Sequence, residues 1–288
     1  CGIQTAGLIA GGGTPSASTE VELYDGTSWT ETTDINTARS GGSTSGTQTS
    51  CLLFGGNGYA TQTEEWNGTA WSEQNDISVG RNHGIGSKTG TTAAALMAAG
   101  YIGGDPDSST STEEYTFGGV GATLGAGAWA SGGALNGTKA GGTSAGIQTA
   151  ALAFGCAEDN ANCESYDGSS WTQVADTNGA RNHSMGCGTQ TAALYAGGTP
   201  DSADSEEFDG SSWTEGNNLN TARGQVGGDG IQTDAIIFGG SPGVKTVTEE
   251  YNGTSWSEQN DLNAGRRYIE GSGDTGQAAL AFGGNSSN

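Results

Sequence analysis

The 288 residues include only two histidines, His83 and His183, and both follow an Arg-Asn pair, at Arg81-Asn82-His83 and Arg181-Asn182-His183. Imidazole can ligate a metal or move a proton near neutral pH. Here the two copies stand in identical settings 100 residues apart, which marks them as equivalent positions of a repeat and not as two halves of one site. No G-x-S-x-G elbow offers a nucleophile. Nine basic residues are present, Arg39, Arg81, Lys88, Lys139, Arg181, Arg223, Lys245, Arg266 and Arg267. Six of them share one repeat position, so only Arg267 remains as an extra arginine for chemistry of the sialidase kind. Asp105, Asp107, Asp201 and Asp204 could collect Ca²⁺ with loop carbonyls, but no EF-hand or nonapeptide calcium pattern accompanies them. The chain is expected to be no enzyme, with no catalytic residues, no metal site and no cofactor beyond a weak case for Ca²⁺.

Binding chemistry has a better candidate. Two residues after the repeat basic residue the chain reads Gly41, His83, Gly141, His183, Gln225 and Tyr268; one residue after, it reads Ser40, Asn82, Ala140, Asn182, Gly224 and Arg267. In a chain that otherwise copies itself, these positions differ. Amides, imidazole and phenol suit sugar hydroxyls and ring faces. The expected ligand site is therefore Asn82, His83, Asn182, His183, Gln225, Arg267 and Tyr268. Drift in tolerant loops is the competing explanation.

The elements that must position these residues follow from the repeat. An apolar segment recurs with starts near 2, 46, 90, 146, 188, 230 and 274, spaced 44, 44, 56, 42, 42 and 44 residues apart. From each of Trp29, Trp71, Trp129, Trp171, Trp213 and Trp256 to the next basic residue (Arg39, Arg81, Lys139, Arg181, Arg223, Arg266) is ten residues. A fixed interval implies a packed connection, so these tryptophans and basic residues are expected to be structural. The basic residue would satisfy carbonyls or pair with a glutamate such as Glu65, Glu207 or Glu250; a ring of cations around a channel is the alternative. Each unit reads as four short antiparallel strands. Strand 1 follows the Arg, strand 2 is the apolar run ending in Gly-Gly, strand 3 carries Glu-Glu-aromatic and strand 4 carries the Trp. Asp-Gly or Asn-Gly between strands 3 and 4, as at Asp25-Gly26 and Asn252-Gly253, suits the positive φ angles of a tight hairpin. Of the sequons at Asn67, Asn136 and Asn252, at least Asn67 and Asn252 are read as turn residues before glycosylation sites. In such a meander the 4–1 and 2–3 connections emerge on one face, and variation collects there. The Gly-rich stretch 118–127 reads as a flexible insertion.

With 54 glycines, 32% hydrophobic residues and a formal charge of −23, the composition alone would suggest disorder; the regular repeat overrides it. The acidity argues against nucleic-acid partners, and no apolar stretch is long enough for membrane insertion as a helix. Cys156 and Cys163 flank a six-residue loop and could close a hairpin disulfide. Cys1 would suit a lipidated start. Cys1-Gly2 matches Cys187-Gly188 in the repeat, however, which favours a chain cut inside a repeat.

Gly-Gly after an apolar strand, then an aromatic, then a Trp, in units of about 45 residues, resembles the kelch-type β-propeller repeat. The likeness covers the chain, though it lacks the usual Pro before the Arg. The wording G-[TI]-Q-T-A-A-L-A-F-G-G … E-E-Y-[DN]-G-T-S-W … N-T-A-R resembles uncharacterised kelch-like repeat proteins of marine bacteriophages. That resemblance implies an all-β propeller of four-stranded antiparallel blades, in one domain spanning 1–288. Seven blades are expected, with six as the alternative and the terminal blades incomplete. Copper oxidases with kelch-like propellers use Tyr and His ligands that two separated histidines match poorly. It further implies a virion or extracellular location, with other virion proteins and a host-surface glycan or protein as partners. The role would be virion surface or tail-associated attachment. Structural decoration of the virion and a secreted bacterial carbohydrate-binding propeller are the alternatives.

Overall fold

The computed structural model describes residues 1–13, 16–87, 91–103, 109–117, 127–139, 141–156 and 161–286. Among them the regular elements are all strands. The chain divides into two compact units. One comprises Cys1–Ala140, Ile147–Thr149 and Tyr166–Trp171; the other comprises Gly141–Gly146, Ala150–Ser165 and Thr172–Asn288.

Six four-stranded sheets follow one another, each with its strands in chain order. The first is Gly2–Ile3, Ala6–Ala10, Val21–Tyr24 and Trp29–Glu31. The second is Ser43–Thr47, Ser50–Phe54, Thr63–Trp66 and Trp71–Glu73. In the third, Ile85–Gly86, Ala94–Ala98, Thr112–Thr116 and Ala128–Ser131 form the sheet. The fourth is Thr143–Ile147, Ala150–Phe154, Glu164–Tyr166 and Trp171–Gln173. The fifth is Met185–Thr189, Ala192–Ala196, Ser205–Phe208 and Trp213–Glu215. The sixth is Gly227–Ile231, Asp234–Phe238, Thr248–Tyr251 and Trp256–Glu258. The seventh repeat forms a two-stranded terminal hairpin, Glu270–Thr275 with Ala278–Phe282. Six complete blades, not the seven inferred from seven copies of the apolar segment, are therefore present. The N-terminal sheet is also complete, because Gly2–Ile3 supplies its first strand.

The seventh copy is joined by no third or fourth strand among the described residues. The recurring G-[TI]-Q-T is the apex of a hairpin and not the start of a strand: Thr47 pairs with Ser50 and Gly46 with Cys51, leaving Gln48-Thr49 as a two-residue turn. The Gln then reaches the preceding sheet. Gln48 Nε2 donates to the carbonyls of Gly7 at 3.1 Å and Tyr24 at 2.6 Å, and Gln232 does the same to Ala193 and Phe208. At the other hairpin only the glycine takes a positive φ (+91° at Gly26). The Asp instead closes an Asx turn, its Oδ1 accepting the amides of Thr27 and Ser28 at 2.8 and 2.9 Å. The equivalent carboxyls of Asp167 and Asp209 are held down at about 2, Asp167 chiefly by the Ser170 amide and Asp209 chiefly by the Ser211 hydroxyl.

Aromatic residues supply the bulk between sheets that a leucine-poor chain otherwise lacks. Trp71, Trp171, Trp213 and Trp256 are buried, while Trp29 and Trp129 are half-buried. Each stacks on an aromatic residue of its own third strand, as in Tyr166–Trp171 at 4.8 Å and Tyr115–Trp129 at 5.3 Å. The indole N–H of Trp129, Trp171 and Trp256 donates to Thr63, Thr112 and Ser205 in the preceding sheet. Trp71 and Trp213 have no such acceptor, because Val21 and Cys163 stand at the equivalent position. Val21→Thr is expected to stabilise the protein by about 1 kcal/mol by restoring that hydrogen bond. A drop in the thermal midpoint on Val21→Thr would contradict this geometry.

Candidate functional site

The repeat basic residue is the anchor on which the variable positions hang. Arg39, Arg81 and Arg223 form buried ion pairs with Glu64, Glu113 and Glu249, and Arg181 lies 3.0 Å from Glu206. The same carboxylates cap the turn before the arginine. Glu64 accepts from the Asn36 amide at 2.7 Å, Asn36 Nδ2 at 2.8 Å and the Thr37 amide at 3.3 Å. Glu249 repeats the pattern with Asn220 and Thr221. Burial pulls the Arg81 and Arg223 guanidinium values down, with the paired glutamate opposing it. This cradle explains the fixed interval from Trp to Arg.

The partner is the first glutamate of each Glu-Glu pair, not Glu65, Glu207 or Glu250 as expected. Alternation along the strand sends the second glutamate to the other face. There it accepts the phenol of the next sheet: Tyr251 donates to Glu207 at 2.6 Å, and Tyr166 to Glu114. Burial and these carboxylates push both phenols above their ordinary range. A raised folded value keeps its contribution to stability below the unfolded tyrosine value near 10 and loses it as pH rises further. The thermal midpoint should therefore fall above about pH 10; a midpoint flat across pH 9–12 would contradict it. Lys139 is fully buried. Arg266 is half-exposed and donates to the Gly283 carbonyl at 3.1 Å.

Within each sheet the connection into the first strand and the connection after the second lie at one end. Bridges join Asn182 with Thr199, Gly224 with Ser241, and Arg267 with Asn285, Tyr101 pairs with Asn82, and the Asn57 amide donates to the Ser40 carbonyl at 2.7 Å. At that end a single backbone conformation recurs. Gly41, His83, Gly141, His183, Gln225 and Tyr268 have φ of +63°, +49°, +60°, +48°, +54° and +51°. Glycine adopts this left-handed region without strain. A side chain there costs roughly 1 kcal/mol or more, yet four of the six positions carry one.

Five of the seven expected site residues meet in the second unit. The His183 and Tyr268 rings meet edge to face at 5.4 Å. Gln225 Nε2 donates to the Tyr268 hydroxyl at 2.8 Å, and the Tyr268 amide donates to the Gln225 carbonyl at 2.8 Å. The Arg267 guanidinium lies 5.9 Å from the Tyr268 ring centroid, and His183 Nδ1 is 3.1 Å from Asn182 Oδ1. Tyr268 is 46% exposed. Gln225 Oε1 and Arg267 Nε are buried with no hydrogen-bond partner among the described residues. The cluster thus offers an aromatic face, an imidazole, an amide acceptor and a guanidinium together.

Asn82 and His83 belong to a second cluster, in the first unit. His83 meets Tyr101 edge to face at 6.2 Å. Asn82 Nδ2 donates to Asn57 Oδ1 at 3.3 Å, and Asn57 Nδ2 donates to Ser40 Oγ at 2.8 Å. Sequence reasoning missed Asn57 and Tyr101; their place at the start of variable 2–3 loops was the available signal.

Among the described residues no group of three or more His, Cys, Asp and Glu is placed to hold a metal ion. Asp201 accepts from Ser241 Oγ at 2.7 Å and the Gly224 amide at 3.2 Å, while Asp204 faces Ser202 and Arg181. Asp105 and Asp107, and stretch 118–126 of the Gly-rich insertion, lie outside the described residues. A disulfide joins Cys1 to Cys51, a pairing that spacing did not suggest. Cys156 and Cys163 are both buried.

No family model matches the chain, and no curated protein matches it. Among solved structures it is similar to one titled "Structure of YjhT", with a TM-score of 0.66 and 12% identity, covering 88% of this chain and 92% of that one. The fold is a β-propeller. Its blades are the six four-stranded antiparallel sheets.

Proposed function

We propose that this propeller is a non-enzymatic attachment protein of the kelch type, carried at the surface or tail of a marine phage virion. It binds a glycan or protein of the host surface through its variable loop end. The observation that carries the reading is the left-handed position: glycine at Gly41 and Gly141, but His83, His183, Gln225 and Tyr268 elsewhere. Side chains held against a backbone preference, three of them (His83, His183 and Gln225) on loops fixed by buried Arg–Glu pairs, point to selection for what they touch. A polar, aromatic, solvent-reached surface suits weak multivalent contact better than a deep pocket. The phage assignment rests on the wording of the repeat.

Purified protein applied to a panel of marine bacterial surface glycans and to whole cells, with and without Ca²⁺, is expected to bind saturably. If folded protein binds neither, the reading fails. A second role, packing against neighbouring virion subunits, is favoured by Ile3, Ile147 and Ile231. These equivalent residues at the opposite hairpin apices are each 41–46% exposed.

A further inference from the structure

We infer that the chain carries two separate sites for one kind of ligand, a pyranoside, one in each unit. The first unit supplies Asn82, His83, Tyr59 and Tyr101; the second supplies the cluster around His183 and Tyr268. The inference rests on the proposed reading of the second-unit cluster as a ligand site, and adds a site to it.

The same trio is assembled twice from unrelated chain positions. In both units an Asn-His pair follows a buried arginine. The histidine is left-handed, with φ of +49° at His83 and +48° at His183, and its ring meets a tyrosine ring edge to face at an interplanar angle of 84°. The two tyrosines are not repeat equivalents. Tyr268 stands two residues after a basic residue, the repeat position of His183 itself. Tyr101 pairs with Asn82, in the place where Thr199 bridges to Asn182. Copying a repeat reproduces the Asn-His pair, but it brings no tyrosine to either histidine. Tyrosine reaching both by different routes points to a demand of the surface and not of the repeat.

The first-unit cluster is also built for contact in its own right. His83 is exposed, and Tyr59 is 41% exposed. Tyr59 is a further side chain held in the left-handed region, at φ +57°. Two glycines make room for it: a Cβ at Gly80 would fall 1.8 Å from the Tyr59 carbonyl oxygen, and one at Gly103 would fall 3.0 Å from its ring. Asn82 Oδ1 has no hydrogen-bond donor among the described residues, as Gln225 Oε1 has none in the second unit. Each cluster thus joins an exposed phenol ring, an imidazole and an amide oxygen that lacks a donor. These shared groups carry no fixed charge, so the shared ligand is a neutral hydroxylated ring. A pyranoside offers C–H faces to the aromatic rings and hydroxyls to the amide oxygen.

The test uses the full chain, whose only two histidines fall one in each cluster. The two imidazole Cε1–H proton signals therefore report the clusters separately, and His83→Gly, which a left-handed backbone accepts, assigns them. The probe is an equimolar mixture of the methyl pyranosides of glucose, galactose, mannose and N-acetylglucosamine, raised to about 10 mM each at constant pH. Both signals should shift saturably, with midpoints within about threefold of each other. Tyr101→Ala should weaken the His83 response at least about tenfold and leave the His183 response unchanged, which also shows that the variant is folded. A shift confined to His183 overturns the second site and leaves the host-binding reading standing. A shift confined to His83, or an undiminished His83 response in Tyr101→Ala, overturns the shared trio. If neither signal shifts, the inference fails, and whole-cell binding by the wild type decides separately whether the host-binding reading survives.

Discussion

Arg223→Ala is expected to destabilise the protein by about 3–5 kcal/mol, while Arg266→Ala, at the same repeat position, should cost less than about 1 kcal/mol. Both members of the Arg223–Glu249 pair are fully buried. Removing the guanidinium leaves a carboxylate away from water with only the Asn220 and Thr221 donors around it. Arg266 is half-exposed and bonded to a single carbonyl, so water replaces it readily. The two variants should therefore differ in thermal midpoint by roughly 5–15 °C. Equal losses would mean that the buried pairs do not hold the loop end.

Replacing His183, Gln225 and Tyr268 together by glycine should leave stability within about 1 kcal/mol of wild type or raise it. Three side chains and at least two side-chain hydrogen bonds, Gln225–Tyr268 and His183–Asn182, are lost, but three left-handed backbone positions are relieved, in the conformation that Gly41 and Gly141 adopt. The compensation is partial because glycine also loses more chain entropy on folding. Ligand binding should meanwhile drop at least about tenfold, since the variant removes the aromatic face, the imidazole and the amide at once. A fall of several kcal/mol on denaturant unfolding would assign these residues to packing instead.

Strand types, blade composition and the structural place of the Trp and Arg positions were legible in the sequence, because a fixed interval reports a packed connection. What failed came from geometry that spacing does not carry. Seven apolar segments suggested seven blades, but a hairpin apex recurs as faithfully as a strand, and Glu270–Phe282 forms only a hairpin. The choice between Glu64 and Glu65 depends on strand phase, which the adjacent pair Glu-Glu leaves open. Cys1 and Cys51 are 50 residues apart, so only folded coordinates bring them together. The variable positions were found from their differences alone. Their shared left-handed backbone, the gathering of five of them in one unit, and the separate setting of Asn82 and His83 required the structure.

The decisive comparison is whole-cell and glycan binding by wild type and by the His183→Gly, Gln225→Gly, Tyr268→Gly variant, at matched folded concentration checked by thermal melting. Binding by wild type and its loss in an equally stable variant is the expected result. Undiminished binding by the variant would show that the strained cluster is not the contact surface.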